Sequence, residues 1–298
     1  MKKILVMAGM VLLAASCSNE SVDVVDNAQT EEAVAPVRVH VNGFSVVTED
    51  FSGERTRATE DVADYVDVNA VTLAFYNGNT EVRKITQLKT NASTYTTFGE
   101  FNVTLPMGNY TMVVVACHVS ESSPFELTSP TAASFTGEHA FETFTATQAV
   151  TISSTADVDI SATLNRVVSK LQIISTDGKT ADVKRVRMTF AGGGKSFNPT
   201  TGLATVNTGF AHSVSNSAPT GETSNSFGFL FLASDEQTMD VTIETLGESG
   251  NVIVSKTVKD VPFKRNRVTI LTGALYSKSG VASFQVSTGW LKNMDVNF

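Results

Sequence analysis

Residues 37–47 constrain the fold of this chain more than any other stretch, because apolar and polar residues alternate strictly at its start. The two alternating sets are Val37, Val39 and Val41 on one side, and Arg38, His40 and Asn42 on the other. Side chains of a β-strand point alternately to opposite faces, so this period of two predicts a strand with one buried face. Such a strand needs an apolar layer against its valines.

A polar segment follows this strand and ends in the basic sequence Arg55-Thr56-Arg57-Ala58. We predict a linker here, with arginines exposed to a protease of trypsin-like specificity. A well-patterned strand just upstream of a scissile basic site indicates a strand that is made in order to be removed. The alternative is that residues 37–47 form an ordinary first strand and that the arginines lie in a solvated loop.

Removal of such a strand would have a large energetic effect. Burial of about four apolar side chains contributes roughly 6 to 12 kcal/mol as an upper estimate, and each ladder hydrogen bond adds about 0.5 to 1.5 kcal/mol. The sum is comparable to the whole stability of a typical domain, about 5 to 15 kcal/mol. The remaining domain would carry an apolar groove between unpaired backbone groups, which is a template for a strand from another chain.

The composition indicates an all-β protein of about two domains. The chain has 298 residues, and domains average roughly 100 to 200 residues. Short Val-rich runs recur between clusters of Gly, Asn, Asp and Ser, which is typical of strands joined by turns. We predict one β-sandwich over residues 37–163 and a second over residues 164–298. The formal net charge of -8 argues against nucleic acid as a partner, since nucleic acid selects basic surfaces.

The first 17 residues have the pattern of an export signal. Lys2 and Lys3 precede a short apolar core, and small residues stand directly before Cys17. We interpret residues 1–17 as a bacterial lipoprotein signal whose cleavage leaves Cys17 as the acylated first residue. Lipid on Cys17 would tie the chain to a membrane. Residues 18–36 are polar and acidic without periodicity, so we predict a flexible tether there.

The only other cysteine, Cys117, ends an apolar run over residues 112–117. With Cys17 acylated, no disulfide can form within the chain, and the apolar surroundings of Cys117 predict a buried, unreactive thiol. Because the run is apolar at nearly every position, we expect its strand to lie centrally with both faces covered.

Two later segments affect the packing. Residues 124–146 are rich in Ser, Thr and Phe, so we predict a long surface loop whose phenylalanines contact the core. Residues 283–298 carry apolar residues at alternate positions in two patches, Phe284 with Val286 and Met294 with Val296 and Phe298. This terminal strand could close its own sheet or be donated to another chain.

The sequence offers no arrangement of catalytic or metal-binding residues. Its four histidines, His40, His118, His139 and His212, have no metal-ligand spacing with Cys, Asp or Glu. No serine lies in a nucleophile-elbow motif. We therefore predict that the protein is not an enzyme and needs no cofactor or metal. The alternative of another class is a surface glycan-binding lipoprotein that uses exposed aromatic residues such as Trp290.

Three features together resemble the Bacteroidales fimbrillin family, which comprises the type V pilins and their anchor and tip relatives. They are the lipobox cysteine Cys17, the strand followed by Arg55-Thr56-Arg57-Ala58, and a pair of segments at residues 164–171 and 261–269. The resemblance implies two tandem β-sandwich domains of Greek-key-like, transthyretin-like topology. It also implies export to the outer membrane as a lipoprotein and display in a fimbrium at the cell surface that supports adhesion.

The resemblance assigns a processing site to this chain. Arg57 would precede the cut and Ala58 would be the mature N-terminus, with Arg55 and Thr56 as the second choice. A trypsin-like or arginine-specific protease would make the cut and the first strand, residues 37–47, would be expelled. Donor-strand exchange would follow, in which a neighbour's strand fills the groove, with residues 283–298 as the candidate donor.

The resemblance also names partners and a structural residue. The partners are other pilin subunits, the outer membrane through lipid on Cys17, and the processing protease. Arg166 is expected at the domain junction, paired with a carboxylate or with backbone carbonyls. Anchor members of the family are not cut and tip members lack a donating tail, and the sequence leaves open which of the three roles this chain has.

Overall fold

The computed structural model describes residues 33–49, 55–277 and 285–290, with side chains over residues 33–43 and 61–277. The predicted signal, Cys17 and the predicted tether up to residue 32 lie outside the described residues. The described part is almost entirely β-structure, with nineteen strands and one short 3-10 helix. The all-β prediction is therefore confirmed.

The strands are numbered in chain order. They are β1 Val34–Glu49, β2 Arg55–Glu60, β3 Ala70–Asn77, β4 Thr80–Leu88, β5 Glu100–Pro106, β6 Gly108–Cys117, β7 Phe125–Ser129, β8 Ala132–Phe135, β9 Thr143–Ile152, β10 Val158–Arg166, β11 Ser169–Ser175, β12 Arg185–Phe190, β13 Ser196–Phe197, β14 Phe210–Ser215, β15 Asn225–Leu230, β16 Glu236–Leu246, β17 Val252–Lys264, β18 Arg267–Gly273 and β19 Gln285–Trp290. The 3-10 helix, Lys89–Thr94, follows β4. Strand β1 includes residues 34–36, which were predicted as tether, because Ala35 is buried on the same face as the valines that follow it.

The first half of the chain folds as two packed layers. In one layer β1 pairs with β5 and β10. The other layer has the order β4-β3-β6-β9, and a two-residue pairing of β10 with β9 joins the layers. Side chains from both layers form one apolar core, to which β6 contributes Met112 and Val114. The prediction of a central strand at residues 112–117 is confirmed, since β6 has a neighbour on each side and these residues are all buried.

The second half repeats the pairing pattern of the first. Strand β11 pairs antiparallel with β15 and parallel with β18, as β1 does with β5 and β10. The other layer has the order β14-β12-β16-β17, which corresponds strand for strand to β4-β3-β6-β9. A separate apolar core, with members from Leu171 to Tyr276, fills this half.

The halves meet between β10 and β11, at Val167 and Val168. Leu164 still belongs to the core of the first half. All described residues belong to one compact unit. The division into two independent domains therefore stays a prediction.

A third apolar cluster joins the two halves. The predicted loop at residues 124–146 contains β7 and β8, which pair with each other, and β8 also pairs with β13 of the second half. Phe135 of β8 stacks on Phe231, and Phe231 stacks on Phe197 with ring centroids 4.3 Å apart. The loop prediction is wrong for β7 and β8, because their apolar side chains share this cluster with Val113 and Val115 on the outer face of β6.

Phe231→Ala should destabilise the protein strongly. The Phe231 side chain is fully buried between two aromatic neighbours, and loss of a buried Phe side chain costs about 3 to 5 kcal/mol. The matched control is Phe227→Ala, whose half-exposed ring lies under the Lys170 ammonium and should cost less than about 1 kcal/mol. Urea unfolding followed by circular dichroism measures both. Equal losses in the two variants would contradict an apolar cluster between the halves.

Candidate functional site

Strand β1 lies in the middle of its layer with a hydrogen-bonded neighbour on each side. On one side β5 runs antiparallel to residues 34–40, and on the other side β10 runs parallel to residues 37–44. Withdrawal of β1 would leave two unpaired strand edges facing each other. We call the space that β1 fills between β5 and β10 the β1 slot.

The inward face of β1 is apolar and sealed. Ala35, Val37, Val39 and Val41 are 0 to 6% exposed and belong to the core of the first half, whereas the residues between them are exposed. The predicted period of two is confirmed. Burial of these four side chains contributes roughly 5 to 10 kcal/mol as an upper estimate, which is comparable to the stability of a whole domain.

Charged contacts on the outer face of β1 add little. Arg38 Nη1 lies 3.4 Å from Oδ1 of Asp159 on β10, and His40 Nδ1 lies 3.3 Å from Oε1 of Glu100 on β5. Both pairs join directly opposed residues, but all four side chains are more than one third exposed. Surface pairs of this kind contribute about 0 to 1 kcal/mol. The core face and the two ladders therefore hold β1 in its slot.

The predicted processing residues lie on strand β2. This strand, which contains Arg55, Thr56, Arg57 and Ala58, pairs antiparallel with residues 44–49 at the end of β1. The linker prediction is wrong for these residues, because the long first strand supplies a ladder partner that the local sequence does not reveal. A bond within a ladder becomes accessible to a protease only through local opening. The structure thus places both candidate cleavage sites in a β-hairpin.

The predicted donor segment, residues 283–298, is described over β19 only. Strand β19 pairs antiparallel with residues 267–272 of β18 and forms the edge of its sheet. In this structure it therefore occupies its own sheet. As an edge strand with a single ladder, β19 leaves its position at a lower energetic cost than β1, which has two ladders and a sealed apolar face.

Arg166, at the end of β10, is the centre of a buried polar network between the halves. Its Nε lies 2.6 Å from Oε1 of Glu142, and both side chains are less than 10% exposed. Its Nη2 donates to Oη of Tyr65 at 3.0 Å, and Tyr65 Oη donates to Glu142 Oε1 at 2.9 Å. Its Nη1 donates to Oδ1 of Asn266 in the second half at 3.0 Å. The predicted structural role, paired with a carboxylate, is confirmed.

The surroundings of Arg166 keep the Tyr65 hydroxyl protonated. Burial, with a further contribution from the charge of Glu142, raises the pKa of Tyr65, so its hydroxyl keeps the proton that it donates. The Arg166 guanidinium also lies 4.7 Å from the centre of the Phe144 ring, which is within range of a cation–π contact. These contacts of Arg166 with Glu142, Tyr65 and Asn266 connect the two halves, and we call them the Arg166 network.

The structure brings together two histidines that are 73 residues apart in the chain. Nδ1 of His139 lies 3.1 Å from Nδ1 of His212 on β14, so one ring donates a hydrogen bond to the other. Burial, with a smaller contribution from His139, lowers the pKa of His212 to about 4, and burial also lowers the pKa of His139. Both rings are therefore neutral at neutral pH. Sequence spacing gave no signal for this pair, since its members lie in different halves.

Cys117 is buried at 1% exposure, and burial raises the pKa of its thiol. The prediction of a buried cysteine is confirmed. Among the residues that the structure describes, no three side chains of His, Cys, Asp or Glu come together as a metal site. That same part of the chain contains no helix long and apolar enough to cross a membrane.

A cavity of about 560 Å³ lies beside Arg166 at the junction of the halves. Its lining is rich in Thr and Asn residues and includes Arg166 and Arg265. The Nε, Nη1 and Nη2 atoms of Arg166 each lie within 3.0 Å of an oxygen of another residue. The lining includes no aromatic ring, so this cavity provides no surface on which a sugar ring could stack.

Comparison with known families covers nearly the whole described chain. Residues 34–297 match the model described as Family of unknown function (DUF6562). The chain belongs to that family. No curated protein matches the sequence.

Several solved bacterial structures are similar to this chain. One is a candidate adhesin from Bacteroides ovatus, 10% identical with a TM-score of 0.49, covering 88% of this chain and 96% of that one. A second candidate adhesin from the same organism is 14% identical with a TM-score of 0.47, covering 83% and 87%. The tip fimbrial protein Mfa3 from Porphyromonas gingivalis is 13% identical with a TM-score of 0.39, covering 85% and 99%. At these identities and TM-scores, the similarity by itself assigns neither an activity nor a partner to this chain.

Arg166→Met should lower the free energy of unfolding by about 3 to 5 kcal/mol, because it leaves the Glu142 carboxylate buried without its cation. Urea unfolding measures the loss. The double variant Arg166→Met with Glu142→Leu should recover part of it, since no buried charge is then left unpaired. The matched control Arg38→Met breaks an exposed pair and should cost about 0 to 1 kcal/mol. If Arg166→Met lost no more unfolding free energy than this control, the Arg166 network would not stabilise the junction.

The stability should fall as the pH is lowered from about 6.5 toward 4. An unfolded His has a pKa of about 6.5, whereas His212 in the folded protein stays neutral down to about 4, so in this window the unfolded state binds more protons. The resulting slope is up to about 1.4 kcal/mol per pH unit. Urea unfolding between about pH 7.5 and pH 4.5 measures it.

The matched variants for this pH dependence lie on strand β14. His212→Gln should reduce the slope, because it removes one of the two histidines whose pKa is lowered, and Ser213→Ala should keep the slope, because it removes no titrating group. A His212→Gln variant with the slope of the unsubstituted protein would disprove this assignment.

Proposed function

We propose that this chain is a structural subunit of a cell-surface fimbrium, exported as a lipoprotein through Cys17 and assembled by strand replacement. A trypsin-like or arginine-specific protease cuts after Arg57, with Arg55 as the second choice. Strand β1 then leaves its slot and a strand from another subunit enters. In this proposal the protein acts as an assembly unit in adhesion and carries out no catalysis.

The position of β1 is the observation that supports this proposal. A strand between two ladders, with a sealed apolar face, is the element whose loss exposes the most complementary surface for another strand. The candidate cleavage sites follow it directly, on β2. A cut there would separate β1 from everything after Arg57 while leaving both walls of the β1 slot, β5 and β10, within the remaining chain.

The cut alone would not release β1. Its buried side chains and two ladders contribute several kcal/mol, so the N-terminal fragment stays bound until an incoming strand competes for the slot. The incoming strand must offer apolar residues at alternate positions. Residues 283–298 have this pattern at Met294, Val296 and Phe298, and we propose this segment of a neighbouring subunit as the donor.

A subunit of the same fold that is not cut, as an anchor or tip of the fimbrium, is the second candidate. The pairing of β2 with β1 favours it, because a ladder shields both candidate cleavage sites. Mature protein that still carries β1 would be its sign.

Limited proteolysis tests the proposal. Residues 18–298, which include the whole compact unit from Ala33 onward, are treated with trypsin under native conditions, the new N-terminus is sequenced, and the product is separated by size exclusion. We expect a new terminus at Ala58 or Thr56 and a ladder of oligomers. Cuts elsewhere with a product that stays monomeric would refute the proposal.

The matched control for this experiment is the double variant Arg55→Ala with Arg57→Ala. It should resist cleavage at β2, and protease treatment should add no oligomers to those present before it, because β1 cannot separate from the chain. A ladder of oligomers that forms in this variant on protease treatment would show that assembly does not depend on the cut.

A further inference from the structure

The repeat between the halves matches each outer strand of the first half with one of the second. The matched pairs are β5 with β15, β4 with β14, β9 with β17 and β10 with β18. In the part of the chain that the structure describes, the two members of each of the first three pairs have similar neighbours, since none of them pairs along its length with a second strand. The two members of the fourth pair have different neighbours. Strand β18 is covered on its outer side by β19, whereas among the described strands the outer side of β10 meets another only at residues 165–166.

We propose that the outer edge of β10, residues 158–164, binds the β19 segment of a second copy of this chain by strand addition. The contact forms in the uncut protein, with β1 still in its slot. It therefore goes beyond the proposed function and requires neither the protease nor a vacated slot.

The edge of β10 is regular and unprotected. Its inward residues Ile160, Ala162 and Leu164 are buried, and the residues between them are exposed. One side of its backbone is paired with β1 along residues 158–164, so the backbone groups that point to the other side are a template for a further strand. Proteins usually block such edges with proline, lysine or a bulge. Residues 158–164 contain no proline or lysine, and Asp159 is their only charge.

The equivalence of β10 and β18 identifies the strand that fits this edge. Strand β18 lies parallel to the first strand of its half, β11, and accepts β19 antiparallel on its free side. Strand β10 lies parallel to the first strand of its half in the same way. The β19 segment can therefore pair antiparallel with either β18 or β10.

Charge and connectivity also favour β19 of a second copy. Residues 278–292 carry two lysines and no acidic residue, whereas β10 and its approach carry Asp157 and Asp159, with Asp159 paired with Arg38 of β1, and no basic residue before Arg166. A molecule's own β19 lies in the ladder with β18 and cannot cover both edges at once. The second copy exchanges its β18 ladder for one with β10, so the association is reversible and depends on concentration, as in domain swapping.

Hydrogen exchange with a synthetic peptide of residues 281–293 tests the proposal on uncut residues 18–298. In the dilute protein alone, the outward amides of residues 158–164 should exchange fast. Excess peptide should slow these amides by at least about tenfold, because they become ladder donors. The control peptide carries Val286→Pro and Thr288→Pro, which remove two donors and bar regular pairing, and it should have no effect.

Three results would overturn the proposal. The first is faster exchange at residues 34–44, which would place the peptide in the β1 slot in place of β1, or slowing confined to residues 267–272, which would place the peptide on β18. The second is no slowing at any residue. The third is an outer edge already protected in the dilute protein without peptide, which would show that a segment of the same chain covers it. None of these outcomes depends on cleavage at Arg57, so the result is independent of the limited proteolysis.

Discussion

The apolar contact between β1 and the first core is the interaction on which the first half depends. Val37, Val39 and Val41 close the core from one layer, and their strand is the only described link between β5 and β10. The charged pairs on the outer face contribute too little to replace this contact. Any process that takes β1 away must therefore supply another strand with a similar apolar face, or leave the core open to water.

The junction shows that the two halves are more than neighbouring repeats. Stacked phenylalanines from β8, β13 and residue 231 form a shared cluster, and Arg166 ties Glu142 to Asn266 across the boundary. The buried ion pair costs desolvation energy that an apolar pair would not. The pair adds a fixed geometry, because the guanidinium nitrogens of Arg166 face oxygens of Glu142, Tyr65 and Asn266. The two halves are thus held in one arrangement. Strands β1 and β19 belong to different sheets.

Local sequence patterns predicted the parts of this fold that depend on alternation alone. The valine face of β1 and the central position of β6 follow from residues adjacent in the chain. The pairing of β2 with β1, and of β8 with β13, depends on partners that local patterns do not specify. The contact of His139 with His212 likewise arises only when the halves come together. The sequence therefore predicted the first strand but not the hairpin that contains the candidate cleavage sites.

Force acts differently on the two kinds of strand in this protein. A pull along a strand with partners on both sides slides it lengthwise, so the ladder bonds of both neighbours are strained at the same moment. A pull that lifts a strand from the edge of a sheet breaks its bonds one after another, and each needs little force. A strand seated between β5 and β10 is therefore mechanically strong along its own axis, whereas β19 on the edge of β18 can peel away. A chain of such subunits, joined through the slot, would resist tension such as flowing liquid exerts on a surface filament.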